Sequence, residues 1–285
     1  MLKFLLKSLS ALPMSWLYRL SGPFYLLLFY FLRFRKKIAK DNICRSFPDL
    51  TPAQQSGVLK NCYRNLCEVA LEITRCLSMH PSELRRHVTF TNLEIIHDPL
   101  QHNQTILLAT AHHCNPVWAI LALGQVLETP LDGIYKPLHV TWLDELVLKS
   151  LSRFKLMPVA AKTCTADLIR RATTTRAIAI VADQAPRRRD KVYWTTFMHQ
   201  ETPFFLGLEK IARLFKYPVF YMDIKRIGRG QYEASFLELA SPPYEKDSHS
   251  ISERYVRAVE RQILQSPHDW LWTHRRWKKK KSLYD

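Results

Sequence analysis

A chain of 285 residues with seven glycines, 47% hydrophobic and 12% aromatic residues can bury a full core, which excludes a disordered or low-complexity protein. Forty-two Lys and Arg against 25 Asp and Glu leave a net charge of +17, so an anionic partner is expected, either a membrane surface or nucleic acid. The six cysteines form no C-x-x-C pair and no paired Cys/His spacing, which points to a reducing compartment and to no metal.

Residues 1–40 read as a membrane-associating segment, ahead of an α/β domain over 41–285 that ends in a basic-aromatic tail. Met1 to Leu32 is rich in Leu, Phe, Tyr and Trp and runs into the basic stretch Arg33 to Lys40. A secretory signal does not fit, because no small-residue cleavage site follows the apolar run. Arg19, Ser21, Gly22 and Pro23 interrupt the run, and Pro23 to Leu32 is too short for ~30 Å of hydrocarbon. Two amphipathic helices, broken at Gly22-Pro23 and lying in the interface, are predicted instead. The basic cluster then faces the headgroups on the cytoplasmic side of the membrane.

Residues 50–80 read as a helix opened by Thr51-Pro52, with Gln54 completing a capping box. Glu68 and Glu72 share one face of it, either exposed or partnering a basic centre. From Ile106 onward strands and helices alternate: 106–110, 117–127, 131–135, 142–153, 156–160, 165–175, 177–182, 204–215, 218–225, 231–239 and 251–265. The pattern predicts a mixed, mostly parallel sheet covered by helices on both faces.

The centre of the chain is Ile106 to Leu123, where a buried strand stops at Thr110-Ala111 and a helix starts near Pro116. Asn115 suits the N-cap and Pro116 the first turn. His112, His113 and Cys114 lie at the junction, at the carboxyl end of a strand, where open α/β sheets bind ligands. Three other stops fall on the same edge: Lys136 after one strand, Asp183 and Gln184 after another, and Arg187 to Arg189 beyond them. Lys136 and the arginines suit a phosphate. Near the C-terminus, Trp270 to Lys281 interleaves aromatics and cations. Such a tail serves either as an interfacial anchor or as a nucleic-acid surface, and the apolar N-terminus favours the anchor.

In this order AHHCN, YKPL, VADQAP, FFLGLEKIAR and PHDWLWTHRRWK, after a hydrophobic N-terminus, resemble the late acyltransferases of lipid A biosynthesis, within the lysophospholipid acyltransferase superfamily. The resemblance implies a glycerolipid acyltransferase-like fold with hydrophobic N-terminal membrane helices. It also implies transfer of a fatty acyl group from an acyl thioester, on acyl carrier protein or coenzyme A, to a hydroxyl of a membrane lipid, without a cofactor. The family pairs a histidine base with an acid five positions on. His112 takes the base position, but the acid position holds Val117, and counting from His113 reaches Trp118. Three readings are open. Asp183, Glu68 or Glu72 supplies the carboxylate; His113 or Cys114 shares the chemistry; or acyl transfer is lost and lipid binding or scaffolding remains. The resemblance further implies catalytic His112 and Asp183, with Lys136, Gln184, Arg187, His113 and Asn115 toward substrate.

Overall fold

In the computed structural model, residues 2–187, 190–245 and 248–278 are described. Helices α1 (Leu2–Ala11) and α2 (Met14–Leu26), the latter extended by a π-helical turn over Leu27–Phe31, precede α3 (Lys36–Ser46) and the long α4 (Pro52–Arg75). Short α5 (Pro81–Leu84) leads to β1 (Val88–Phe90) and α6 (Glu94–Gln101). Next come β2 (Ile106–Thr110), α7 (Pro116–Leu123), β3 (Leu131–Tyr135), α8 (Thr141–Ser152), β4 (Leu156–Ala160), α9 (Cys164–Arg170) and β5 (Ala177–Val181). A hairpin of β6 (Val192–Phe197) and β7 (Gln200–Phe205) precedes α10 (Gly207–Phe215). The chain then forms β8 (Val219–Gly228), β9 (Gln231–Ala240), α11 (Ser250–Gln265) and a 3-10 turn over Pro267–Asp269.

The main sheet has the order β1-β9-β8-β2-β5-β3-β4 and is parallel except for β8 against β9. Strand β2 lies at its centre, with every residue buried. Leu107 and Ala109 face one layer, with α3, α4, α10 and α11; Ile106 and Leu108 face the other, with α5, α6 and α7. An apolar run without alternation suits a strand covered on both sides. The mixed α/β class is as the strand–helix alternation predicts.

Several elements differ from expectation. Residues 200–205, expected to be loop and helix, form β7, because the chain reverses at Met198 and His199, both with positive φ, without a glycine to announce the turn. The expected break at Gly22-Pro23 is absent: α2 continues through both, and the chain turns at Leu12-Pro13 instead. Among the described residues no helix is long and apolar enough to cross a membrane, so the expectation of hydrophobic N-terminal membrane helices gains no spanning segment. Leu17, Tyr25 and Phe29 are buried, with Phe29 edge-on to Tyr63 of α4. Phe4, Leu5, Trp16, Phe31 and Leu32 remain exposed.

The C-terminal stretch is not a free tail. Trp270, Trp272 and Arg276 are buried, and Arg276 lies over the Phe204 ring while donating to the Pro203 carbonyl. Asn42 of α3 donates to the carbonyls of Trp272 and His274. Burial of these rings removes them from both headgroup anchoring and base stacking. Lys279 to Lys281 lie outside the described residues.

Candidate active site

The site forms where β2 ends. Cys114 adopts φ +55°, a left-handed kink that reverses the chain between the strand and α7 and leaves His112 on the sheet edge. Asn115 then caps α7, its Oδ1 accepting from the Trp118 amide at 3.0 Å, with Pro116 at the first helical position as predicted.

Strand β5 runs parallel to β2 in register, Thr110 opposite Val181, so both strands deliver their following residues to one edge. That register brings Asp183 to His112. The carboxylate accepts twice from the same residue: Oδ1 from the imidazole Nδ1 at 2.6 Å and Oδ2 from the His112 backbone N–H at 3.0 Å. Trp270 Nε1 donates to Oδ2 at 2.8 Å. Asp183 is buried, whereas the His112 side chain keeps 31% exposure.

Electrostatics follow from these contacts. Burial alone would raise the Asp183 pKa. The His112 charge and the bonds from His112 and Trp270 outweigh it and hold the carboxyl at about 2. Burial likewise works to lower the His112 pKa, but the Asp183 charge and hydrogen bond prevail and raise it. With Nδ1–H committed to Asp183, neutral His112 carries its lone pair on Nε2, where the Gln184 amide nitrogen stands 3.1 Å away.

Asp183 and Gln184 thus meet His112 directly. Lys136 follows β3, two strands across the same edge and so ~10 Å along it, and is exposed. Arg187 is exposed too and lines a polar cavity of about 340 Å³ with Lys162, Gln184 and Asp190. Arg188 and Arg189 lie outside the described residues. His113 and Asn115 turn inward. His113 Nε2 donates to the Ser266 carbonyl at 3.0 Å, and its burial lowers its pKa. Asn115 Nδ2 donates to Glu72 Oε2 at 2.9 Å. The protein's own groups therefore take the polar atoms of both residues, rather than leaving them toward a substrate.

Glu72 does not lie on an exposed face of α4. It is fully buried, and besides Asn115 it accepts from Tyr18 at 2.8 Å and Tyr232 at 2.7 Å. Glu68 pairs with Arg226 and Arg229. Neither acid is bonded to His112, and the Cys114 thiol is held well above its ordinary pKa by burial.

Val117, five positions after His112, lines an apolar groove of about 230 Å³ between α4, the start of α7 and residues 268–271. His112 opens onto this groove beside Val69, Ile73 and Leu271. The imidazole is thus bounded by an apolar groove on one side and, through Gln184, by a polar cavity on the other. Sequence reasoning missed Trp270, whose indole holds Asp183, as part of the site. The PHDWLWTH stretch was visible, but only the folded chain shows it returning to the strand ends: the Leu271 amide donates to the His112 carbonyl at 3.1 Å.

The model of the bacterial lipid A biosynthesis acyltransferase family matches residues 1–279 of the chain. No curated protein matches it. A match over nearly the whole length, reaching from the N-terminal helices through the strand-end site to the C-terminal stretch, shows that this acyltransferase belongs to the bacterial lipid A biosynthesis acyltransferase family.

Proposed function

We propose that the chain moves a fatty acyl group from an acyl thioester to a hydroxyl of a lipid acceptor, with His112 as general base and Asp183 as its orienting acid. The observation that carries this reading is the 2.6 Å contact between Asp183 and His112 Nδ1. A carboxylate just beyond the end of β5 stands in for the one missing at Val117. It fixes the tautomer that presents Nε2 and stabilises the imidazolium formed on proton transfer.

In this mechanism the acceptor hydroxyl displaces the Gln184 amide from Nε2. Its oxygen attacks the thioester carbonyl as Nε2 takes its proton. The tetrahedral intermediate collapses, the carbon–sulfur bond breaks, and the leaving thiolate takes the proton back from Nε2. An ester and a free thiol result, and no covalent enzyme intermediate forms. The groove beside Val117 suits the acyl chain, at about 0.8 kcal/mol for each buried methylene. The polar cavity with Lys162 and Arg187 suits an acceptor phosphate, and Lys136 stands further along the same edge. The family supports a lipid A precursor as acceptor, with a lysophospholipid as the other candidate; acyl carrier protein or coenzyme A would carry the donor.

The exposed Phe4, Leu5, Trp16, Phe31 and Leu32 beside a basic stretch support attachment to the cytoplasmic face of the inner membrane by burial in the interface. The test compares wild type, His112→Ala and Asp183→Asn in detergent micelles, with radiolabelled acyl–acyl carrier protein and a panel of lipid acceptors. Wild type is expected to transfer label, His112→Ala to abolish transfer, and Asp183→Asn to lose up to ~10⁴-fold. Equal transfer by wild type and His112→Ala would remove His112 as the base. A silent wild type that still binds vesicles would favour a lipid-binding homologue without catalysis.

A further inference from the structure

Next to the proposed base, three metal-ligating side chains converge. His113, Cys114 and Asp269 are all buried, and one ligand atom from each lies within 4.8 Å of the other two. His113 Nδ1 and Cys114 Sγ are 3.3 Å apart. Metal bonds of ~2.0 Å to nitrogen and ~2.3 Å to sulfur, at a tetrahedral angle, separate such atoms by about 3.5 Å. The nitrogen and sulfur therefore already stand at ligand spacing, with a carboxylate oxygen within 4.8 Å of both.

The surroundings are those of a held ligand set. The second ring nitrogen of His113 donates to the Ser266 carbonyl at 3.0 Å, which fixes the ring and turns the Nδ1 lone pair toward the cysteine. Asp269 is oriented on both oxygens, by Asn65 Nδ2 at 2.6 Å and by the Ser266 hydroxyl. The Cys114 amide donates to the Asp269 carbonyl at 2.9 Å, tying the two backbones together. Arg226 is paired with Glu68 and lies 3.9 Å from Glu72, while His268 Nε2 stands 3.7 Å from Asp269 Oδ2. Cys114 and Asp269 both line the apolar groove, which supplies an entry path.

We propose that His113, Cys114 and Asp269 form a site for a borderline-soft divalent cation of the zinc class, with the fourth position open to the groove. One nitrogen, one thiolate and one carboxylate suit such an ion better than magnesium or calcium, which take oxygen ligands. Binding replaces the thiol proton with the metal: the S–H bond breaks, an S–metal bond forms and one proton passes to solvent. Thiolate and carboxylate together then neutralise the dication in the buried site. The bound ion clamps residues 266–271 onto the turn that carries His112, and so holds Trp270 against Asp183.

The test uses the full chain in detergent, stripped with a chelator and titrated with Co²⁺. A thiolate-to-cobalt charge-transfer band saturating at one equivalent, and bleached by Zn²⁺, is expected. Cys114→Ser should lose that band. Cys62→Ser, a thiol on the same groove outside the cluster, should keep it unchanged. Asn65→Ala should retain the band with about 10- to 100-fold weaker binding, since it frees the carboxylate without removing a ligand. A stripped, folded wild type that shows no thiolate band overturns the site, as does a Cys114→Ser chain that keeps it. The first of these needs no variant, so misfolding of a mutant cannot shelter the proposal.

Discussion

A histidine base is defined by what holds its other nitrogen. Because Asp183 raises the His112 pKa, the rate should climb with pH through a value above the ordinary ~6.5 of histidine. Asp183→Asn removes the charge and leaves burial to act alone, so the acidic limb of the pH–rate profile should move to lower pH as the plateau falls. A profile whose limb stays put would separate the two residues. The same pair contributes to stability with the opposite sense at the acid: the folded Asp183 pKa of about 2 lies below its ordinary 3.8. Its contribution is present above pH ~3.8 and is lost as pH falls through about 2. Val117→Glu tests the other position. A carboxylate there enters an apolar groove that already has its acid elsewhere, so KM for the acyl donor should rise more than kcat falls. A rise in kcat with KM unchanged would mean that the family's usual geometry can be restored.

Among elements, the strand ends were the most legible. The periodicity of 106–110, 131–135 and 177–182 places His112, Lys136 and Asp183 on one edge, and parallel pairing carries out the rest. What periodicity could not give is distance: β2 and β5 are neighbours, whereas β3 lies one strand further. Asn115 shows a related limit. Its capping role was readable from Asn-Pro, but its bond to a buried Glu72 depends on the later part of α4 reaching the start of α7, where Trp118 Nε1 also donates to the Glu72 carbonyl. Asn115→Ala removes the cap and leaves that carboxylate short of a donor, so it should destabilise the fold by about 2–4 kcal/mol, measured by denaturant unfolding. The hairpin of β6 and β7 was hidden because its turn residues, Met198 and His199, are ordinary amino acids with positive φ. The aromatic C-terminus was misread for a different reason. Tryptophan beside lysine has the same composition at a membrane surface as in a core that buries the indole and threads one arginine inside.

For the whole molecule, charge and apolar exposure act together. The net +17 and the exposed rings and leucines of α1 and α2 predict binding to anionic vesicles that weakens as salt rises. Phe31→Asp with Leu32→Asp should cut vesicle binding by more than tenfold in a flotation assay while leaving the thermal midpoint within a few degrees, because both side chains are exposed. Equal flotation of the double variant would place the membrane contact elsewhere on the surface.

The proposed base and acid follow separate strands, 71 positions apart along the chain, whereas the motif expected from the resemblance carries both on one short segment. The usual dyad can be inherited or exchanged as a single piece; this one cannot. A chimera receiving residues 106–123 from a family member would gain a second acid without losing the first, so one imidazole would sit between two carboxylates. A chimera receiving the strand around Asp183 from a relative with the VADQ stretch would keep this acid at His112 only if the transplanted strand pairs with β2 in the same register. For this pair the boundary that matters in a chimera is therefore the pairing of β2 with β5.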